Sequence, residues 1–133
     1  MKKLETYLFF NGNCGEAMQF YERVLGGELR LVEAKETPGG SGEQIMHARL
    51  EAGGAVLMAS DWQAPAPDER MGGFSVTLST ATAAEAKSLF DGLAEGGKVT
   101  MPFGETFYSD GFGMLVDRFG TPWMVMSEAS PGT

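Results

Sequence analysis

Apolar residues recur with a helical period in two stretches of the chain, Asn13–Gly27 and Thr82–Gly97. Both stretches place them at positions i, i+3, i+4, i+7 and i+8, which lie on one face of an α-helix. These residues are Ala17, Phe20, Tyr21, Val24 and Leu25 in the first stretch and Ala86, Leu89, Phe90, Leu93 and Ala94 in the second. The pattern predicts two amphipathic helices.

The two predicted helices begin with the same signal. Asn13 and Thr82 are favoured N-cap residues, and Glu16 and Glu85 follow three positions later, which predicts a capping box in each. The N-cap, the glutamate and each apolar position of the first helix have a counterpart 69 residues later in the second, as Asn13 and Thr82 show. The constant offset indicates two copies of one supersecondary unit. We expect the functional site to lie where the two copies meet.

The residues around each helix alternate or are rich in β-formers, as is typical of strands. The predicted strands are Leu4–Phe10, Glu28–Glu36, Glu43–Glu51 and Ala55–Asp61 in the first copy, and Phe74–Ser79, Lys98–Phe103, Met114–Asp117 and Trp123–Ser127 in the second. Pro102 is expected to end the Lys98 strand. Each copy is therefore predicted to be a βαβββ module.

Two alternatives exist for which face of the Glu43–Asp61 hairpin lines the ligand cup. A two-residue turn at Gly53-Gly54 would place Met58 opposite Arg49, and His47 and Arg49 would then share a face. If Leu57 instead corresponds to Met124 in the hairpin of the second copy, the ligand would lie on the opposite face of the hairpin. The sequence does not decide between these alternatives.

The predicted fold class is α+β, with two paired βαβββ modules whose mixed, cupped sheets carry their helices on the outer face. We place both modules in a single domain spanning residues 1–133. Module one covers 1–61, a crossover 62–72, module two 73–128 and a tail 129–133. Exposed sheet edges, with Trp62 and Met71 of the crossover, predict a homodimer.

Composition narrows the functional classes. The chain has 43% hydrophobic and 21% charged residues, and no apolar run approaches the ~20 residues that a membrane span needs. The net charge of −8 leaves no basic patch for a nucleic acid. The single cysteine, Cys14, cannot form an internal disulfide, which favours a cytoplasmic protein. Cys14 begins the first helix, where a reactive thiolate is one interpretation and a small structural residue is the favoured one.

Three segments resemble a known family: YLFFNGNCGEAMQFYERVLGG at Tyr7–Gly27, MHARLEAGGAVLMASD at Met46–Asp61 and DRFGTPWMVM at Asp117–Met126. With the two βαβββ modules, they identify the chain as a member of the vicinal oxygen chelate superfamily of glyoxalases, bleomycin-resistance proteins and dioxygenases. The most similar branch is PhnB-like, also called 3-demethylubiquinone-9 3-methyltransferase-like. The resemblance implies a cupped sheet that holds a small molecule, and a homodimer.

The family's metal centre does not carry over to this chain. The ligand positions that the resemblance implies fall on Thr6, Ser75 and Met124, which offer two hydroxyls and a thioether in place of imidazole and carboxylate. We predict no metal and no cofactor. The alternative is a relocated site using His47 with Glu51, Asp61 or Glu128, as a metal-dependent lyase or isomerase of the glyoxalase type would need.

Methyltransferase activity is not expected. Such an enzyme of the usual kind binds its cofactor on a doubly wound parallel sheet with a glycine-rich turn after its first strand. Here the segment Asn11–Gly15 leads from a strand directly into a capped helix, and two βαβββ modules leave no room for another domain.

His47 is the candidate catalytic residue, because an ordinary histidine titrates near neutral pH. An exposed strand histidine without a role is the alternative. Arg49 could hold an anionic group of a ligand or pair with Glu51. The candidate ligand-binding residues are Thr6, His47, Arg49, Met58, Ser75, Thr77, Tyr108, Trp123 and Met124. The aromatic and methionine members could equally serve core packing.

The favoured function is metal-free binding of a small planar or apolar molecule. The glyoxalase-type enzyme is the alternative, and a structural dimer without a pocket is a third class. The sequence is compatible with a protein that only binds its ligand and with an enzyme.

Overall fold

The computed structural model describes residues 4–36, 38, 42, 44–61 and 73–129. The chain divides into two compact units between Glu69 and Arg70. Within the described residues each unit contains one α-helix and one four-stranded mixed sheet, which confirms the α+β class and the two βαβββ modules. Within the part described, no helix is long and apolar enough to cross a membrane. The roles predicted for Trp62 and Met71 fall outside the described residues.

The first module runs in the order strand, helix and three strands. Its elements are β1 (Thr6–Phe10), α1 (Cys14–Leu25), β2 (Glu28–Glu33), β3 (Ile45–Ala52) and β4 (Ala55–Asp61), with a 3₁₀ turn at Ala34–Glu36. The sheet order is β1-β4-β3-β2. β1 runs parallel to β4, and the other pairs are antiparallel.

The second module repeats this arrangement. Its elements are β5 (Val76–Thr80), α2 (Ala83–Ala94), β6 (Lys98–Gly104), β7 (Phe112–Val116) and β8 (Pro122–Ser127), in the sheet order β5-β8-β7-β6. The expectation that Pro102 ends β6 is wrong, because the strand continues to Gly104. β6 is an edge strand with shifts in its register, and an edge tolerates a proline that has no N–H to donate.

Buried and accessible side chains alternate along most of the central strands, except where β4 ends at Ser60 and Asp61 and where β7 begins at Phe112 and Gly113. In the first sheet the buried set is Leu8, Phe10, Ala48, Leu50, Leu57 and Ala59, and α1 packs on it through Cys14, Ala17, Met18, Phe20 and Tyr21. In the second sheet the buried set is Leu115, Trp123 and Val125, covered by Ala86, Phe90 and Leu93 of α2. Each helix therefore covers one side of its own sheet, and the opposite side is left for other contacts.

The hairpin turn has two residues. Ala52 pairs with Ala55 across Gly53-Gly54, and both glycines have positive φ, at 53° and 90°. A two-residue turn with two positive φ values matches the right-handed twist of the flanking strands. Arg49 therefore lies opposite Met58, as the tight-turn alternative predicts. The match of Leu57 with Met124 is wrong, since Leu57 is buried on the helix side and Met124 is not.

The helices begin differently in the two modules. The Thr82 hydroxyl accepts a hydrogen bond from the Glu85 N–H at 3.2 Å, which confirms that cap. Asn13 occupies the N-cap position of α1, as predicted, but its side chain makes no cap bond, so the capping interaction predicted for it is wrong. Asp61 at the end of β4 takes its place, because its Oδ1 accepts from the Gly12 and Cys14 N–H groups at 2.8 and 3.0 Å.

Candidate functional site

The side of the first sheet opposite α1 carries a cluster of aromatic, cationic and thioether side chains. We call this side the open face, and its defining residues are Tyr7, Phe9, His47, Arg49 and Met58. The register of the strands brings these side chains together, because Tyr7 on β1 and Arg49 on β3 both lie opposite Met58 on β4. Side chains two positions apart on a strand point the same way, which adds Phe9 and His47.

Three rings of the open face lie close together. The Tyr7 ring is 5.1 Å from the Phe9 ring and 6.1 Å from the His47 ring, measured between centroids, and both pairs are tilted. These separations lie in the range where aromatic pairs attract. Tyr7 and Phe9 are 38% and 47% exposed. Large aromatic side chains with this much accessible surface are characteristic of binding sites when they cluster.

Charged groups continue the open face beyond the rings. Arg49 forms an ion pair with Glu51, two positions further along β3. Arg30 on β2 lies directly opposite Arg49 and pairs with Glu28 at 3.2 Å. The open face therefore joins an aromatic part to a part rich in hydrogen-bond donors.

The corresponding side of the second sheet is rich in methionine. Thr77, Met124 and Met114 lie opposite one another on β5, β8 and β7, and Met126 follows on β8. The Thr77 hydroxyl lies 3.8 Å from the Met124 sulfur and donates to it. Methionine is flexible and polarisable, so such a surface can adapt to differently shaped apolar partners.

The remaining candidate residues lie in different surroundings. Thr6 is opposite Leu57, on the same side of the sheet as the buried set. Ser75 precedes β5. Tyr108 lies between β6 and β7, is 46% exposed and contacts Phe112 edge to face at 5.8 Å. The structure thus does not bring Thr6, Ser75 and Tyr108 together within one module.

Trp123 belongs to the core of the second module. It is 2% exposed, and its indole N–H donates to Asp117 Oδ2 at 2.8 Å. Asp117 Oδ1 also accepts from the Phe119 and Thr121 N–H groups at 2.8 and 3.0 Å. This carboxylate shapes the turn of the DRFGTPW segment, and Trp123 fills the packing role that the sequence also allowed.

Cys14 lies in an environment that suppresses its ionisation. Its side chain is fully buried, and burial, assisted by the negative charge of Asp61, raises the pKa of Cys14 to about 12. The helix dipole favours a thiolate at this position, but removal from water outweighs it. The interpretation of Cys14 as a structural residue follows.

The donor groups of the first module do not suit a divalent metal. Asp61 lies on the helix side of its sheet, and its Oδ2 accepts from the Ile45 N–H at 2.9 Å, whereas His47 lies on the open face. Glu51 is engaged by Arg49. Across residues 4–36, 38, 42, 44–61 and 73–129, no group of three or more His, Cys, Asp or Glu side chains is placed to hold a metal ion. The residues present therefore do not fit the family's metal centre.

Tyr7, Phe9 and Arg30 are candidate site residues that the sequence analysis did not single out. The alternation of side chains between the two sides of a strand could have identified Tyr7 and Phe9. Leu8 and Phe10 are the buried positions of β1, so Tyr7 and Phe9 had to face the other way. Thr6, the position that corresponds to a metal ligand of the family, lies on the helix side of the sheet instead.

Comparisons with known proteins agree with this architecture. Residues 3–125 match the model of the Glyoxalase/Bleomycin resistance protein/Dioxygenase superfamily. Protein YjdN of Escherichia coli K12 is 36% identical over 92% of each chain. The crystal structure of protein PA1353 from Pseudomonas aeruginosa has 44% identity and a TM-score of 0.87, over 96% of this chain and 98% of that one. PhnB protein from Bacillus cereus has 27% identity and a TM-score of 0.77, over 95% and 99%.

Proposed function

The chain belongs to the glyoxalase/bleomycin resistance protein/dioxygenase superfamily and is similar to its PhnB-like members. On that premise we propose that it binds a small planar or apolar molecule and does so without a metal ion. The observation that carries the proposal is the grouping of Tyr7, Phe9 and His47 on the open face, with ring separations of 5.1 and 6.1 Å. A flat ligand can stack on such rings.

The groups beside these rings supply orientation. His47 offers a ring nitrogen as donor or acceptor, and Arg49 offers charged donors at the edge of the same patch. Met58 lies between Tyr7 and Arg49 in the register and can shape itself to an apolar surface. Small-molecule sites commonly combine apolar walls with a few such polar groups. In the second module, Thr77 and Met124 offer a similar mixture.

The test is a binding measurement with a panel of naphthols, indoles and quinolines, read by saturation-transfer NMR and calorimetry. We expect at least one compound to bind wild type, and Tyr7→Ala and His47→Ala each to weaken that binding about three- to tenfold, as loss of one aromatic contact implies. Leu4→Ala is the matched control, since Leu4 is fully exposed and precedes β1. Binding unchanged in both variants, or no binding by wild type, would refute the proposal.

The same proposal includes a cytoplasmic homodimer. Each four-stranded sheet has two edge strands, and the free backbone groups of an edge favour pairing with another chain. The lone cysteine, buried and protonated, suits a reducing compartment. Light scattering at tens of micromolar should give the mass of a dimer, and a monomer there would contradict this part alone.

A further inference from the structure

Two arginines of the first module face each other across neighbouring strands. β2 and β3 pair Arg30 with Arg49, and they pair Glu28 with Glu51. Like charges in directly opposed positions destabilise a sheet, whereas an arginine opposite a glutamate would stabilise it. The opposite charges here lie along each strand instead, as the pairs Arg30–Glu28 at 3.2 Å and Arg49–Glu51. The register thus places Arg30 and Arg49 in opposed positions on the same side of the sheet.

These four side chains border an open cleft of about 500 Å³. Its other lining residues are Gly27, Gly53 and Gly54. A cleft of this size is within the range that small molecules occupy. Gly27 must be a glycine, because a Cβ there would lie 2.0 Å from the Glu51 carbonyl oxygen. Around Gly53 and Gly54 the space is open, since a Cβ at either position would meet no atom within 4 Å.

We propose that this cleft binds the phosphoryl group of a small anionic molecule, with Arg30 and Arg49 as its donors. Each guanidinium presents two parallel N–H groups, and the three terminal oxygens of a phosphoryl group can accept from both forks. A single carboxylate has two oxygens and matches one fork. The opposed pair of arginines therefore favours the phosphoryl group.

Glu28 and Glu51 keep the two guanidinium groups paired until an anion arrives. The side chains of Glu28 and Glu51 are 73% and 61% exposed, and ion pairs this exposed are weak. An incoming phosphoryl group can exchange with them. The net charge of −8 repels anions at long range, so recognition depends on this local arrangement.

This site does not require the proposed function. Arg49 borders both regions, but the cleft lies on the side of Arg49 away from Tyr7 and His47 along β3 and toward the Gly53-Gly54 turn. Inorganic phosphate can therefore test the cleft without any aromatic ligand.

The experiment is titration of wild type with inorganic phosphate, followed by NMR of backbone amides and by calorimetry. We expect Arg30→Gln and Arg49→Gln each to weaken binding about tenfold, as loss of one charge-assisted contact implies, and the double variant to abolish it. Lys87→Gln is the control for net charge, since Lys87 forms an exposed ion pair with Asp91 in α2. Acetate should bind more weakly than phosphate.

A second pair of variants sharpens the result. Glu28→Gln and Glu51→Gln should strengthen phosphate binding several-fold, because each removes a competing carboxylate, whereas Asp91→Asn should not. Tyr7→Ala should leave phosphate binding unchanged even if it abolishes binding of aromatic compounds. The inference is overturned if the double arginine variant binds phosphate like wild type, if wild type shows no binding, or if acetate binds equally well.

Discussion

Asp61 shows how one side chain can organise several elements. Its carboxylate accepts from the backbone N–H groups of Gly12, Cys14 and Ile45, so it joins the start of α1 and the start of β3 to the end of β4. The residue is 3% exposed. Buried N–H groups that lose their acceptor each cost free energy, since water cannot reach them.

We expect Asp61→Ala to lower the free energy of unfolding by about 2–4 kcal/mol, the sum of a lost helix cap and a further unsatisfied N–H. Urea denaturation followed by circular dichroism measures it. Asp91→Asn removes an exposed partner of Lys87 and should cost less than about 0.5 kcal/mol. An Asp61→Ala protein as stable as that control would show that the three bonds are not stabilising.

Cys14 predicts a pH dependence of stability. Burial raises its pKa from the ordinary 9.0 to about 12. The contribution of the buried thiol to the free energy of unfolding is fully present below pH 9.0. Between pH 9.0 and about pH 12 the thiol of the unfolded chain ionises while that of the folded chain keeps its proton, so this contribution is lost by about pH 12.

Urea unfolding midpoints of wild type should therefore fall more steeply above pH 9.0 than those of Cys14→Ala, which has no thiol to titrate. A thiol reagent at neutral pH should label Cys14 only in urea. Equal pH slopes for the two proteins, or rapid labelling of the folded protein, would contradict the buried, protonated thiol.

Among the secondary-structure elements, the two helix starts give a matched pair of variants. Thr82 has extended backbone angles and its hydroxyl accepts from Glu85, whereas Asn13 has φ −116° and ψ 20° and makes no cap bond with its side chain. Thr82→Ala should lower the free energy of unfolding by about 1 kcal/mol, and Asn13→Ala by less than about 0.5 kcal/mol. Denaturation curves of the two variants test the difference, and an equal loss would mean that Asn13 does cap α1.

Most elements could be predicted because their signals are local. The helical period of α1 and α2, the alternation along the strands and the Gly53-Gly54 turn all act between residues close in sequence. Asp61 could not be found this way, since it caps a helix that begins 47 residues earlier. A cap supplied by tertiary structure leaves no mark beside the helix that it caps.

The strand positions that face away from each helix were harder to predict, because the spacing between the two copies is not strictly constant. The helices α1 and α2 begin 69 residues apart, at Cys14 and Ala83, but the strands β1 and β5 begin 70 apart, at Thr6 and Val76. The connection from β1 to α1 has three residues and its counterpart has two. A shift of one residue turns a strand position to the other side of the sheet. This is why the constant offset paired Thr6 with Ser75.

In the molecule as a whole, one supersecondary unit has been used twice with different chemistry. The open face of the first sheet combines the rings of Tyr7 and His47 with Arg49. The corresponding side of the second sheet presents Thr77 beside Met124 and Met114. The covered sides are similar, because each must receive a helix. The backbone plan thus accounts for the fold, and the two modules differ in the side chains at their exposed strand positions.

The chain as a whole should bind no divalent metal stoichiometrically. A catalytic zinc ion typically takes about three nitrogen, carboxylate or thiolate ligands from the protein. The chain has one histidine and one cysteine, and Cys14 is buried with its pKa raised to about 12. His47 and Asp61 lie on opposite sides of the first sheet, and Glu51 pairs with Arg49.

We therefore expect protein stripped with a chelator and then dialysed against Zn²⁺, Mn²⁺ or Ni²⁺ to retain far less than one ion per chain, by mass spectrometry of the metal. His47→Ala serves as the paired variant. Because removal of the sole imidazole should abolish any site built on it, stoichiometric micromolar binding by wild type that this variant loses would replace the metal-free reading with a glyoxalase-type metal site. Equal trace metal in both proteins is the result that the donor chemistry requires.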